Sequence, residues 1–274
     1  MIPSTLKLSN FFSGPTPRIL GHRGAAGEAP ENTLVSFQRA LADGAGFIEL
    51  DVRGSADGKV VIIHDATVGR TTNGRGRVSR LSLRELKRLD AGYWFTSDGG
   101  ATYPYRGQRV EIPTLAELLS ILPQIRAIIE IKQWRPPIVK KVIEAVCRAG
   151  KERDVLLATE KNRIMREIRA EISGNDPPIA TGFSYGEVAS FMAWLAGNRR
   201  EVYRPPGQAM QLPCEFAGMT LVSGQTLEAA HKLGVELFVW TINDPAEMER
   251  LLRLGVDGII TDYPGRLRAL VAGR

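Results

Sequence analysis

Apolar residues return along this chain in two alternating rhythms. Short unbroken runs rich in Ile, Val and Leu give way to longer stretches in which apolar positions recur every three or four residues. The first rhythm predicts buried strands and the second amphipathic helices. Strands are predicted at 18–21, 47–52, 60–64, 127–132, 155–159, 179–183, 216–222, 237–242 and 258–261. Helices are predicted at 33–43, where Leu34, Phe37, Ala40 and Leu41 form one face, and at 114–122, which opens on a Thr114-x-x-Glu117 capping box. Further helical stretches are 136–149, 161–172, 187–196, 226–233 and 245–254. Strands alternating with helices in this way predict a parallel sheet with helical crossovers.

Nine strands are one too many for an eight-stranded barrel. The connection between 47–52 and 60–64 is short and contains Asp57-Gly58. A parallel crossover needs a dozen or more residues, whereas Asp-Gly suits a hairpin turn. Residues 60–64 are therefore expected to fold back antiparallel, with Asp51 roughly opposite His64. The other eight strands then make an α/β fold, a (β/α)8 TIM barrel with its functional groups at one rim. A chain of 274 residues suits one such domain. The stretch 66–112 is rich in Gly, Arg and Thr, with a single helix signal at 82–89, and reads as a small insertion rather than a second domain with its own core. Residues 198–211, with Arg199, Arg200, Arg204 and Pro205-Pro206, form another irregular segment, to which no role is assigned.

Composition narrows the class. Apolar residues make up 43% and charged residues 24%, ordinary values for a water-soluble globular chain. The formal charge of +6 suits anionic substrates, but the basic residues are scattered, and no nucleic-acid partner is expected. The two cysteines, Cys147 and Cys214, form no metal-binding spacing, and Cys147 is expected in the core beside Val142, Ile143 and Val146. The first 14 residues lack a run fit for a signal peptide, and no stretch is long enough to span a bilayer, so a cytoplasmic protein without stable membrane insertion is expected. The oligomeric state is left open.

Four signals stand at strand ends: Gly21-His22-Arg23-Gly24, Glu49-Leu50-Asp51, His64-Asp65 and Glu130-Ile131-Lys132. Each is commonplace alone. Residues two apart in a strand share a face, so Glu49 and Asp51 point together, as do Glu130 and Lys132. Three carboxylates and a lysine at the mouth of a barrel need a cation or tight pairing to offset their burial. A hard divalent cation held through oxygens is the natural solution. Two of the three histidines also end apolar runs, and the third, His231, lies on a helix and reads as structural. Trp240 ends the run 237–239 and reads either as core or as an apolar wall for the carbon skeleton of a small alcohol. Asn243-Asp244-Pro245 reads as the cap of the helix that follows.

Taken in order and spacing, these segments resemble the glycerophosphodiester phosphodiesterase family over nearly the whole chain. Carrying the resemblance with them are Pro30-Glu31-Asn32-Thr33, Arg70-Thr71-Thr72-Asn73-Gly74, Ile112-Pro113-Thr114-Leu115, Val239-Trp240-Thr241-Ile242-Asn243 and the segment from Gly255 to Pro264. The resemblance implies a barrel with an insertion after His64-Asp65. It implies a divalent metal ion, Mg2+ or Ca2+, on Glu49, Asp51 and Glu130. It implies His22 and His64 as the acid/base pair and Arg23 and Lys132 as phosphate ligands, with Asn32 and Trp240 as further substrate-binding candidates. The implied reaction cuts a glycerophosphodiester to glycerol 3-phosphate and an alcohol. One departure stands out: the family often shows Ser-Phe after its fifth barrel strand, a place assigned here to Thr159-Glu160.

The chemistry is consistent from first principles. A cation with Arg and Lys would stabilise the charge that develops on the phosphate oxygens. Imidazoles titrate near neutrality and suit proton transfer in both directions. The nucleophile is either water or the glycerol 2-hydroxyl. One rival reading is a lysophospholipase D-like barrel acting on lysophospholipids or phospholipids. It requires an exposed apolar rim, for which 191–195 is the sequence candidate. A second rival, a non-catalytic barrel binding phosphorylated ligands, would be favoured by loss of a histidine or carboxylate from the set.

Overall fold

The computed structural model describes residues 10–174, 177–197 and 202–273; positions 198–201 of the irregular segment lie outside the described residues. In chain order the strands are β1 Arg18–His22, β2 Phe47–Gly54, β3 Val60–Ile62, β4 Ala127–Ile131, β5 Val155–Ala158, β6 Ala180–Thr181, β7 Ala209–Leu212, β8 Glu215–Phe216, β9 Met219–Thr220, β10 Glu236–Val239 and β11 Gly258–Thr261. The helices are α1 Leu34–Ala42, α2 Leu83–Leu86, α3 Leu115–Ile121, α4 Val139–Arg148, α5 Asn162–Glu171, α6 Tyr185–Ala196, α7 Gly224–Lys232, α8 Pro245–Leu254 and α9 Pro264–Ala272.

Parallel ladders join the strands in the order β6-β5-β4-β2-β1-β11-β10-β7. Gln208 closes the ring: its backbone N–H donates to Thr181 O at 2.9 Å, and its side-chain Oε1 accepts from Thr181 N at 2.8 Å. Eight parallel strands thus form an α/β barrel.

The strands are apolar on both faces because both are covered. Inside, Leu20, Phe47, Ile128, Leu156, Ala180, Ala209, Phe238 and Ile260 pack together. Outside, one apolar cluster seats α1, α3, α4 and α5, and a second seats α6 to α9. A 3-10 turn at Asn10–Phe12 plugs the end where the strands begin. Its Phe11 is fully buried, meeting Phe47 edge-on at 5.2 Å, and Arg18 Nη2 donates to Phe12 O at 2.6 Å. Truncating a buried Phe costs about 3–5 kcal/mol. Phe11→Ala is therefore expected to lower the melting temperature by about 10 °C at roughly 2–4 °C per kcal/mol. A shift of only a degree or two would show the plug to be dispensable.

The structure corrects several expectations. The sixth barrel strand in chain order is β7, not residues 216–222. That apolar run forms β8 and β9, a two-stranded hairpin whose Phe216 and Met219 are exposed. The true strand was masked by its flanking prolines and by Gln208 and Gln211. Helix α9 was not anticipated, although Pro264 at its start and Leu267 on its buried face are ordinary helix signals. Cys147 is exposed: α4 buries Val139, Val142, Ile143 and Val146, and the next position turns away.

β3 does run antiparallel to β2. The register is Val52 to Ile62, and Ile63 N donates to Asp51 O at 2.9 Å, so Ile63 rather than His64 stands opposite Asp51. His64 lies one residue further on, beyond the strand. Gly58 takes φ +72° in the turn, where Ser55 N donates to Lys59 O at 2.9 Å. Thr159-Glu160 follows the fourth barrel strand in chain order, because the hairpin strand does not count. Phe183-Ser184 follows the fifth.

Between β3 and α3 the chain wraps over the hairpin. Val61 and Ile63 from the hairpin pack in one buried cluster with Val68, Val78, Leu86, Ala91, Val110 and Ile112 of the segment. α2 is a single turn closed by a Ser82/Glu85 capping box.

Candidate active site

The polar strand-end residues gather at the end of the barrel where the strands finish. Glu49 and Asp51 project from β2, and Glu130 from the neighbouring β4, whose register sets Asp51 beside Glu130. One carboxylate oxygen from each lies within 4.8 Å of the other two. Asp51 is 1% exposed and Glu49 7%. Burial and the neighbouring Asp51 push the Glu49 carboxyl up to about 8. Burial also raises Glu130, despite the opposing charge of Lys132. Glu49 and Glu130 thus resist ionisation beside Asp51, a strain that a divalent cation would relieve, and an all-oxygen set fits a hard ion.

Two basic groups offset part of the charge. Lys132 Nζ contacts Glu130 Oε2 at 2.7 Å and Asp51 Oδ1 at 3.4 Å. Arg23 Nε lies 3.2 Å from Asp51 Oδ2, and its Nη1 donates to Glu31 Oε1 at 2.8 Å. With all three carboxylates ionised, these five groups carry one net negative charge, and a divalent cation would turn that into one positive charge.

Arg23 adopts φ +49°, an uncommon conformation for a residue with a side chain. Three bonds hold it there: Arg23 N donates to Glu49 Oε2 at 3.2 Å, and Arg23 O accepts from Asn32 N at 2.9 Å and Ser36 Oγ at 3.0 Å. Gly24 follows at φ +93°, where a Cβ would collide with the backbone of Ser36. The tight turn over the start of α1 therefore aims the guanidinium at the carboxylates.

Asn32 stands behind this cluster rather than on the cavity wall. It is 3% exposed, its Nδ2 donates to Asp51 Oδ2 at 2.9 Å, and its Oδ1 accepts from Asp51 N at 3.3 Å. The side chain placed among the substrate contacts on sequence grounds thus engages Asp51 at both ends.

Each of the two strand-end histidines has a carboxylate on Nδ1. His22 pairs with Asp262 at 2.7 Å, and its Nε2 lies 3.9 Å from Glu49 Oε2. Burial lowers its proton affinity, but the Asp262 bond and the Glu49 charge outweigh this, and the net shift is upward. Asp262 is itself bracketed by Asn243, which donates to Oδ2 at 2.6 Å and accepts from Asp262 N at 3.0 Å. His64 pairs with Asp65 at 2.7 Å, and Arg70 clasps Asp65 and Glu31 together. Arg70 and His64 outweigh the burial of Asp65 and hold its carboxyl down at about 2. His231 lies apart, on α7, bonded to Asp257 at 2.8 Å.

Asp262, Asn243 and Arg70 received no site role from the sequence. Asp262 carried a signal, since it directly follows an apolar strand and β11 neighbours β1. Asn243 was assigned with the helix cap, yet only Asp244 caps α8; Asn243 turns to Asp262.

One cavity of about 1050 Å³ is lined by His22, Arg23, Glu49, Asp51, His64, Glu130, Lys132 and Trp240. Trp240 is 37% exposed and so belongs to the wall, not the core.

A family model described as the glycerophosphoryl diester phosphodiesterase family matches residues 22–266. A glycerophosphodiester phosphodiesterase from Caldanaerobacter subterraneus is 35% identical over 258 residues, covering 92% of this chain and 97% of that protein. The crystal structure of a glycerophosphodiester phosphodiesterase from Agrobacterium tumefaciens is similar with a TM-score of 0.72 at 29% identity, over 92% of this chain and 99% of that one. A phosphodiesterase from Oleispira antarctica, solved in complex with the product sn-glycerol-3-phosphate, matches with a TM-score of 0.74 at 27% identity, over 93% of this chain and 97% of that one.

Proposed function

This chain belongs to the glycerophosphoryl diester phosphodiesterase family and is a phosphoric diester hydrolase, and from that premise we propose that it hydrolyses glycerophosphodiesters to glycerol 3-phosphate and an alcohol by paired-histidine acid/base catalysis. The observation that carries this reading is the pair of carboxylate-backed histidines on one cavity with the three-carboxylate cluster. The barrel and the segment wrapped over its hairpin are read as one functional unit, since His64 and Asp65 sit where the two meet.

In this mechanism Glu49, Asp51 and Glu130 would hold a divalent cation, Mg2+ or Ca2+, which would supply positive charge to the phosphate oxygens. Arg23 offers a planar fork to two of those oxygens, and Lys132 a point charge to one. Glu31 and Asp51 keep the Arg23 fork from swinging, so less freedom is lost when substrate arrives. Asn32 acts through Asp51, as a positioning residue. Trp240 packs against the carbon skeleton.

Asp262 and Asp65 each fix the tautomer of their histidine and leave Nε2 to exchange protons. One imidazole withdraws the proton of the nucleophile, and the other returns a proton to the departing alkoxide. The same pair serves water or the glycerol 2-hydroxyl as nucleophile.

No described helix is long and apolar enough to cross a membrane. A freely diffusing cytoplasmic enzyme acting on a small-molecule diester fits this reading. The test is release of glycerol 3-phosphate from several head-group diesters, with and without chelator and added Mg2+ or Ca2+. Release is expected, lost in chelator and restored by one of the ions. Full turnover in chelator would remove the role given to the carboxylates.

A further inference from the structure

Inside the barrel lies an apolar layer, and the inward position two residues further along each strand stands at the cavity end. On β1, β2 and β4 that position holds charged groups of the site. In line with β5 and β6 it holds only Ala158 and Gly182. On β7 it holds Gln211, which lines the cavity with Ile128, Ala158 and Ile260. The Gln211 side chain lies over Gly182, where an added Cβ would stand 2.7 Å from Gln211 Oε1. Around the ring of eight, β7 is four strands from β2 in either direction, so Gln211 faces the carboxylates from across the barrel. α6 lends that side Val188 and Met192. The stretch 191–195 is not an exposed apolar rim, because Phe191 and Leu195 are buried and Trp194 packs on Tyr203 at 5.2 Å.

Gln211 Nε2 is buried and has no hydrogen-bond partner among the described residues. A buried donor is costly unless something accepts its proton. The Arg18 and Arg23 nitrogens that also lack hydrogen bonds lie against Glu236 and Asp51, so their charge is met. Closing the barrel does not occupy Gln211 either, since Gln208 does that, its Oε1 accepting from Thr181 N at 2.8 Å. The free donor is therefore available to a ligand. A carboxamide both donates and accepts, which matches a hydroxyl. The phosphate is met on the far side by Arg23 and Lys132. Every glycerophosphodiester carries hydroxyls on its glycerol arm, whereas the other alcohol varies. The terminal hydroxyl is the one farthest from the phosphate, and so the one placed to reach the opposite wall.

We propose that Gln211 is a substrate-binding residue that exchanges hydrogen bonds with the terminal hydroxyl of the glycerol arm, and so selects glycerol diesters over diesters lacking that hydroxyl. The proposal rests on the hydrolysis proposed above and assigns it a specificity residue. Gly182 takes part, because a side chain there would displace the carboxamide.

The experiment compares kcat/KM for glyceryl p-nitrophenyl phosphate and 2-hydroxypropyl p-nitrophenyl phosphate, reading release of p-nitrophenol. The second diester lacks the terminal hydroxyl but keeps the 2-hydroxyl, so the comparison holds whether water or that hydroxyl is the nucleophile. Wild type is expected to prefer the glyceryl diester by about 10- to 100-fold, the range for leaving a buried polar group unpaired. Gln211→Leu is expected to bring the preference to within about twofold of unity, since the ratio reports contacts made to one diester and not the other. Gly182→Ala crowds the carboxamide without removing it. It should lower the preference too, and it carries the test if the Leu variant does not fold. A wild type that turns over both diesters alike overturns the proposal and leaves the hydrolase reading standing. So does a Gln211→Leu enzyme that keeps the wild-type preference, whether its two rates are unchanged or fall in parallel. Absence of p-nitrophenol from both diesters in wild type would instead sink the hydrolase reading itself.

Discussion

Glu49→Gln is expected to lower turnover by about 10³-fold and at the same time to raise the melting temperature of chelator-treated protein at pH 8. The first effect follows from loss of a cation ligand. Charge stabilisation by a bound ion is worth several kcal/mol, and about 1.4 kcal/mol is tenfold in rate. The second follows from the pKa. Folding lifts the Glu49 carboxyl from its ordinary 4.5 to about 8, because burial and Asp51 both disfavour its charge. The folded protein therefore holds this proton more tightly than the unfolded chain. The stabilisation is fully present below about 4.5 and is lost as pH rises through about 8. Gln carries no charge at any pH and escapes that loss, while its amide oxygen can still accept from Arg23 N. Cation binding must expel the same proton, so wild-type affinity for the ion should climb across this window. Ion-induced stabilisation, about 2.7 kcal/mol at a hundredfold excess over Kd, should vanish in the variant. Melting curves with chelator and with each ion decide the matter. A variant that melts lower than wild type in chelator, or that keeps the ion-induced shift, contradicts the assignment.

Asp51→Asn makes a useful contrast. Asp51 faces Arg23, Lys132 and Asn32, so its charge is already compensated. Its loss leaves two half-buried cations with one carboxylate partner fewer each, and this variant should melt lower than wild type in chelator. The two carboxylates share one strand face, yet opposite signs are expected, because Asp51 has cationic neighbours that Glu49 largely lacks.

The polar cluster was legible in the sequence because its residues interrupt apolar strands. Glu49, Asp51 and Glu130 have no reason to stand among Ile48, Leu50, Ile129 and Ile131 unless something at the strand ends uses them. Register then follows from strand order: once β2 and β4 are neighbours, Asp51 lies beside Glu130. What could not be read were the partners that approach from outside the strands. Arg70 reaches Asp65 from a loop, and Asn243 reaches Asp262 across a turn. Neither contact has a period or spacing that marks it.

The misplaced strand has the same origin. Residues 216–222 are more apolar than 209–212, and apolarity is what marks a buried strand. Here it marks a cavity wall, a second use of apolar side chains that hydropathy alone cannot distinguish from the first. The register error at His64 was smaller in extent, one residue, and arose from a turn that closes Ser55 to Lys59 around Asp57-Gly58.

His22→Ala and His64→Ala are each expected to lower turnover by about 10²–10⁴-fold with the fold intact, the range usual for loss of a positioned acid or base. The motive is their shared geometry. Each imidazole gives Nδ1 to a carboxylate at 2.7 Å, and both line the cavity that holds the three carboxylates. Groups that act as a unit are not additive, so the double variant should be little slower than the slower single one. Fold loss would produce a similar fall, and three controls separate the two causes. His231→Ala, whose imidazole bonds Asp257 away from the cavity, should leave turnover within about twofold, as surface substitutions usually do. Ion-induced stabilisation should survive in His64→Ala, since His64 touches none of the three carboxylates in the described contacts. Asp262→Asn should act like a milder His22→Ala, because an amide can still bond Nδ1 but no longer supports the imidazolium. A diester with a good leaving group, such as a p-nitrophenyl ester, needs little proton donation as it departs. Of the two single variants, the one lacking the general acid should recover most of its rate on that substrate, and the one lacking the base should not. Near-native turnover in both variants, with ion binding intact, would mean that neither histidine moves a proton in the reaction. Recovery of both on the activated diester would mean that neither serves as the base.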